Sequence, residues 1–259
     1  MAPRSIWNGT ITFGLVAVPV KLYTATESKT VHFHELHRRD EARIEHRRFC
    51  STEDEEVPND EIVKGYEVSE GEYVVLSKEE VAGADPSGGK VIALEDFVRA
   101  EEIDPVFYDK AYYVGAQDDG EAPYRVLHEA MGRCDRVGIG RFVFHNKEQL
   151  VALRARDDLL TLHTMRFHDE VVSGKDVEVP SPQKKPAKRE VDMAGSLVAQ
   201  LETKFKPERH KDTHRAAVEA LIDRKSKGQD IDVPARHDTE LAPDLLMAAL
   251  EASVKGGGN

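Results

Sequence analysis

Through much of the first 170 residues, apolar and polar positions alternate with a period of two, the signature of half-buried strands. Residues 7–23 read as strand, turn, strand. Ile11 and Phe13 alternate with Thr10, Thr12 and Gly14; Val16, Val18 and Val20 alternate with Ala17, Pro19 and Lys21. Pro19, which has no N–H to donate, suits an edge or a bulge. Val31, Phe33 and Glu35 predict a further strand leading into an arginine-rich stretch. Tyr66-Glu67-Val68 and Glu72-Tyr73-Val74-Val75-Leu76 predict two more. Ser77-Lys78-Glu79-Glu80 has the form of a capping box opening a short helical turn.

Asp85-Pro86-Ser87-Gly88-Gly89 is a turn by its chemistry. Val91, Ala93, Glu95 and Phe97 resume the strand pattern, Ile103-Asp104-Pro105 interrupts it, and Ala111-Tyr112-Tyr113-Val114 continues it. Pro123 is placed to open a helix whose apolar face would be Val126, Leu127, Ala130 and Met131. Residues 139–144, 150–156 and 160–167 predict a three-strand meander, with His145-Asn146-Lys147-Glu148 as its first turn. Many short strands with one helix favour a barrel over an alternating βαβ fold.

The pattern changes after Val179-Pro180-Ser181-Pro182-Gln183-Lys184-Lys185-Pro186-Ala187-Lys188-Arg189, an extended polar linker with three prolines and four bases. Met193, Leu197, Val198, Leu201 and Phe205 then fall on one helical face, which Pro207 ends. A second helix runs from about Thr213, with Val218, Leu221 and Ile222 apolar, to Gly228. Pro243 opens a short last helix carrying Leu245, Leu246, Ala249, Leu250 and Val254. Being too short to stand alone in water, it should dock on something. The class expected is therefore mainly β with α.

Composition narrows the picture. Hydrophobic residues make up 40% and charged residues 32%, which suits a soluble protein with a real core. No apolar run approaches the roughly 18 residues of a membrane span, and residues 1–5 lack the apolar segment of a secretory leader. Cys50 and Cys134 give no disulfide framework, so the cytoplasm is the expected compartment.

A formal net charge of −12 argues against coating nucleic acid with the whole surface. The charges are segregated, however. Residues 51–61 hold six carboxylates and no base; residues 203–227 hold eight Lys/Arg against four Asp/Glu. Residues 37–48 hold five arginines and two histidines, with no clean apolar period.

Two readings of residues 37–48 stand side by side. Asp40, Glu41 and Glu45 leave the five arginines a net of only +2, as in a solvated, self-neutralising loop. Alternatively, Arg38, Arg39, Arg43, Arg47 and Arg48 contact phosphate, for which the planar guanidinium is suited. Arg154 and Arg156, two apart on a predicted strand, share a face, and Lys147 sits at a hairpin tip; each is either solvent-facing or a further phosphate contact. His32, His34, His37, His46 and Cys50 lack the close cysteine pairs typical of zinc sites, and no metal or cofactor is expected. There is no Gly-x-Ser-x-Gly, no phosphate-cradling Gly-Lys-Ser/Thr loop and no His-Glu-x-x-His, and no enzyme is expected. Gly138-Ile139-Gly140 is too short for a dinucleotide fingerprint and precedes a strand.

Ser5-Ile6-Trp7-Asn8-Gly9-Thr10-Ile11-Thr12-Phe13-Gly14-Leu15-Val16-Ala17-Val18-Pro19-Val20-Lys21-Leu22-Tyr23 resembles the opening of the bacterial Ku proteins. Asn146-Lys147-Glu148-Gln149-Leu150-Val151-Ala152-Leu153-Arg154 resembles that family's meander. Met193-Ala194-Gly195, Phe205-Lys206-Pro207 and Asp212-Thr213 resemble its helical arm, and Ala249-Leu250-Glu251-Ala252-Ser253-Val254-Lys255 its C-terminal helix.

The resemblance implies a β-barrel core with an arching bridge ribbon and a C-terminal helical arm. The core would be residues 1–190, with the bridge inserted at about 30–70. Residues 191–232 would be a helical dimerisation arm, and residues 233–259 a short segment recruiting an ATP-dependent end-joining ligase. It implies a homodimeric ring threading double-stranded DNA ends, with no membrane partner and an association with the nucleoid. The arginine stretch would then sit in the bridge and contact DNA. Leu245, Leu246, Leu250 and Val254 are the expected partner-binding residues. Reach is adequate: about fourteen extended residues span some 45 Å, against a duplex roughly 20 Å across and about 21 Å for a helix of that length.

Two departures from the family's pattern carry expectations of their own. Many relatives have a Cys-x-x-Cys pair in the bridge, whereas Cys50 is followed here by Ser51-Thr52-Glu53, so no zinc role carries over. Many have a long lysine-rich tail, whereas this sequence ends Gly256-Gly257-Gly258-Asn259, so tail-mediated DNA contact should be absent or weak. The competing reading is a protein adaptor that never encloses DNA.

Overall fold

The computed structural model describes residues 4–83, 90–144, 147–179 and 185–229. The chain divides into two units, Met1–Lys29 with His34–Ser173, and Thr30–Phe33 with Gly174–Asn259.

The first unit is built on a closed barrel of seven strands. These are β1 (Trp7–Phe13), β2 (Val16–Thr24), β5 (Val91–Val98), β6 (Tyr108–Ala116), β7 (Val137–Phe144), β8 (Lys147–Arg156) and β9 (Leu159–Met165). Their order around the barrel is β1-β2-β6-β9-β8-β7-β5. Every pairing is antiparallel except the seam, where β5 lies parallel to β1 with Ile11 opposite Ile92. Closure gives each of these strands a neighbour on both sides.

Alternation delivers Ile11, Val18, Val20, Leu22, Ile92, Val114, Leu153, Leu160 and Leu162 to the interior. Fully burying each side chain of this size is worth about 1.5–3 kcal/mol. On β5 the buried pair is Ile92 and Leu94, not the alternate set headed by Val91 and Ala93, and the pairing with β7 shifts between Leu94 and Asp96. β8 is buried continuously through Val151, Ala152 and Leu153 because both its faces are covered. A second cluster built on Val137, Ala152 and Met165 lies beneath the 3-10 turns Ala100–Glu102 and Pro105–Phe107.

Pro19 is not on an edge. It lies in β2, inside the closed barrel, opposite Thr10, whose own N–H goes to Lys90 O. On its other side its carbonyl accepts from Gln117 N at 3.1 Å, just past the register of β2 with β6, so the missing donor costs only a terminal rung.

The helix α2 (Glu121–Cys134) opens two residues before Pro123. It docks through Tyr124, Leu127 and Met131, while Val126 and Ala130 of the expected face are exposed. The Tyr124 hydroxyl donates to Val114 O (2.7 Å) and accepts from Leu160 N (2.8 Å), fastening the helix to two strands. Burial pushes this phenol's pKa up.

Between β2 and β5 the chain forms an irregular arm and then the two-stranded sheet of β3 (Lys64–Ser69) and β4 (Glu72–Leu76). No strand forms at residues 31–35. Among the described residues, the pairings within the arm are the single bridges Leu36–Arg43 and Phe49–Glu56, and Phe33 is exposed. The expected capping box opens the short α1 (Lys78–Gly83): Glu80 N donates to Ser77 Oγ (3.1 Å) and Ser77 N to the Glu80 carboxylate (2.8 Å). The turn expected at 85–89 lies outside the described residues, as do His145 and Asn146.

The second unit carries α3 (Lys188–Leu201) and α4 (Thr213–Ser226). α3 ends at Leu201, well before Pro207, so Phe205 is not on its face; it stacks instead on His210, with ring centroids 5.7 Å apart. Asp212 caps α4 by accepting from Arg215 N (2.8 Å), and Gly228, at φ 71°, follows it.

Candidate nucleic-acid interface

Two tight turns shape the arm. Glu41, at φ 57°, and the Leu36–Arg43 bridge close the first around Arg38 and Arg39; Asp54, at φ 53°, and the Phe49–Glu56 bridge close the second. The Asp40 carboxylate accepts from Ala42 N (3.1 Å) and pairs with His37 Nδ1 (2.8 Å), contacts that hold its pKa below the usual value.

The five arginines of the arm divide into two groups. Arg47 is engaged by Glu56 (3.1 Å) and Glu45 (3.4 Å), which push its pKa up, and Arg48 donates to Asn59 Oδ1 (2.9 Å). Arg38, Arg39 and Arg43 are exposed and have no hydrogen-bond or ion-pair partner among the described residues. The acidic stretch therefore shapes the arm: through Glu56 it anchors one arginine while three others are left to solvent. Sequence spacing could not separate the two groups, because the separation depends on the second turn folding Glu56 against Arg47.

The barrel contributes a second basic face. Arg154 and Arg156 are exposed on the outside of β8. Register places Arg154 opposite Thr161, Thr161 opposite Tyr113, and Tyr113 opposite Tyr23, so one row across four strands runs from a guanidinium to two phenols. His163 lies on the same face, half-buried and edge-on to Tyr108 at 5.4 Å. Its pKa is lowered by burial and by the neighbouring charges of Arg154 and Arg156. Sequence reading found the two arginines but missed His163, Tyr113 and Tyr23, whose alignment exists only in the register. Lys147 begins β8 and pairs with Glu170 at 2.9 Å.

The arm arginines and the barrel face are thus two basic surfaces of one unit. In the other unit, α4 and the segment before it hold most of the basic excess of residues 203–227. Leu245, Leu246, Leu250 and Val254, with the rest of 230–259, lie outside the described residues. No group of three or more His, Cys, Asp or Glu side chains is arranged to hold a metal among the described residues.

A closed barrel that carries a long arginine-bearing arm between its second and third barrel strands defines a β-barrel protein with an exposed basic insertion. The family model described as the Ku70/Ku80 beta-barrel domain matches residues 12–193. A non-homologous end joining protein Ku from Anaeromyxobacter is 44% identical over 252 residues, 97% of this chain and 85% of its own. Another, from Bacillus subtilis, is 34% identical over 97% of this chain and 81% of its own. This chain belongs to the Ku family. Among solved structures, the SPOC domain of human PHD-finger protein 3 covers 63% of the chain at 11% identity with a TM-score of 0.31, too low to bear on the fold.

Proposed function

We propose that the protein binds double-stranded DNA ends, without regard to sequence, as a homodimeric ring in non-homologous end joining. The observation that carries this reading is the set of three arginines, Arg38, Arg39 and Arg43, held on an exposed arm without a partner among the described residues. Guanidinium groups so presented suit phosphate, and phosphate contacts orient a protein while reading no base sequence. The outer barrel face, with Arg154, Arg156 and His163, supplies further contacts from the same unit. Family membership supports action at DNA ends. In this reading Arg47, Arg48, Lys147 and Arg156, the last paired with Asp157 at 3.6 Å, reach phosphate by exchanging their carboxylate or amide partners for it. The protein performs no bond-making itself. It recruits and stimulates an ATP-dependent ligase through Leu245, Leu246, Leu250 and Val254, and it works in the cytoplasm at the nucleoid.

The test is a gel-shift competition at moderate salt. It compares linear duplex, the same sequence as a closed circle, and linear duplex capped at both ends by bulky groups. Binding confined to open-ended linear duplex is expected, because a ring loads by threading. Equal binding to all three forms would reduce the site to a general basic patch. No binding to any would favour the adaptor reading. With about six phosphates neutralised per dimer, log K should fall with log salt at a slope of about −5.

A further inference from the structure

The outer face of the barrel carries more than charge. Arg154, Thr161, Tyr113 and Tyr23 stand in register on β8, β9, β6 and β2. The row spans three strand spacings, about 14 Å. Thr161 is buried, with its hydroxyl donated to Arg154 O (3.3 Å), so the surface of the row belongs to the guanidinium and the two phenols. Arg154 is exposed, and its side chain has no ion-pair or hydrogen-bond partner among the described residues.

Both rings are open to a ligand. Tyr112 and Val114, on either side of Tyr113, point into the core, whereas Tyr113 is 44% exposed. Tyr23 is half-buried because it leans across β6: a Cβ at Gly115 would come to 3.0 Å from its Cε2, and the bare glycine makes room for the ring. Neither ring is packed against another aromatic ring, and neither hydroxyl has a partner, among the described residues.

The charge around the rings suits a polyanion. Arg156 lies two residues beyond Arg154 on the same face, and Lys21 two residues before Tyr23. Their acids, Asp157 at 3.6 Å and Asp118 at 3.4 Å, are largely exposed, so these pairs are weak and exchangeable. The field of the two arginines extends over the face, since after burial it is what lowers the pKa of His163.

Aromatic rings on neighbouring strands of a sheet face, with cations beside them, suit a single-stranded nucleic acid: the rings stack on bases and the cations meet phosphates. In a duplex both faces of each base are covered by the stack, so such rings favour a strand that is unpaired. We propose that this face binds the unpaired overhang of a DNA end, with bases stacked on Tyr113 and Tyr23 and a backbone phosphate at Arg154. The proposal deepens the end-binding reading and rests on it, because it takes the single strand to be continuous with a duplex end.

The test uses the full-length protein and two labelled single strands of about ten nucleotides, one of thymidine and one abasic, which carry the same phosphates. Fluorescence anisotropy is read for the wild type, Tyr113→Ala, Tyr113→Phe and Arg154→Gln. The wild type should bind the thymidine strand at least about fivefold more tightly than the abasic one, the lower end of what stacking one base on a ring contributes. Tyr113→Ala should lose that preference, and Tyr113→Phe, which keeps the ring, should retain it. Arg154→Gln should weaken both strands alike. Tyr113 lies outside the core, so its variants should keep the fold, which circular dichroism checks. Equal affinity of the wild type for the two strands, no binding of either, or an undiminished preference in Tyr113→Ala overturns the proposal. Blunt duplex is titrated into the wild type in parallel. Absence of duplex binding strikes the end-binding reading, whereas duplex binding without a preference for the thymidine strand strikes this face alone.

Discussion

At the scale of single residues, the arm arginines differ by what already holds them. Arg38, Arg39 and Arg43 can meet phosphate without giving anything up, while Arg47 must leave Glu45 and Glu56. Replacing Arg38, Arg39 and Arg43 with Ala should therefore lower duplex affinity and flatten the salt slope by about 0.9 for each phosphate no longer neutralised, as read by fluorescence anisotropy across salt concentrations. An unchanged slope would remove the arm from the DNA interface. His163 gives a second readout from the barrel face. Its pKa is depressed by burial and then by Arg154 and Arg156, so the fold prefers the neutral ring. The unfolded chain takes up this proton near its ordinary value of about 6.5, whereas the folded chain does so only at lower pH. The contribution is complete above the unfolded value and is lost as pH falls below it towards the folded value. Arg154→Gln should move the His163 titration upward in an NMR pH series; no movement would show that the guanidinium does not act on the ring.

At the scale of elements, the glycine pair at 138 and 140 acquires a structural meaning. A side chain at Gly140 would collide with Ala93 O, because β7 and β5 approach closely there, and one at Gly138 would press on Leu94 and Phe97. Gly140→Val should destabilise the barrel by about 1–3 kcal/mol in urea denaturation, with the strain set against backbone that cannot swing aside. Stability equal to the wild type would mean that the seam between these strands is looser than its register. The barrel itself was largely legible in the sequence, since β1 and β2 announce themselves by period-two alternation, β6 to β9 by short apolar stretches between turns, and α2 by its helical spacing. What was not legible depends on neighbours. Residues 31–35 alternate like a strand but find no partner strand among the described residues, so the pattern has nothing to pair with. Val126 and Ala130 sit at helical spacing with Leu127 and Met131, yet Tyr124 supplies the docking face through its two hydrogen bonds. The row from Arg154 to Tyr23 depends on a register across four strands, which no single stretch encodes.

At the scale of the whole molecule, the sheet of β3 and β4 poses an energetic problem. Every residue in both strands is exposed. Tyr66 faces Val74 across the ladder and Tyr73 faces Glu67, so apolar side chains stand on both faces of a ribbon only two strands wide. An isolated two-stranded sheet is marginally stable in water, and Tyr66, Val74 and Leu76 share one face as an apolar surface that a monomer has reason to cover. The homodimer proposed above supplies the cover if the ribbon lies against a second copy, because a two-fold interface buries the same patch on both chains at once. Tyr66→Ser combined with Val74→Ser should then shift the protein from twice the chain mass to the chain mass in light scattering at micromolar concentration. The barrel's own unfolding midpoint should change little, since neither residue belongs to its core. DNA-end binding should fall with the dimer, because each protomer brings only one arm. A variant that remains dimeric would place the interface elsewhere, and one that is monomeric yet still selects open ends would refute the ring while leaving the arm arginines at the DNA.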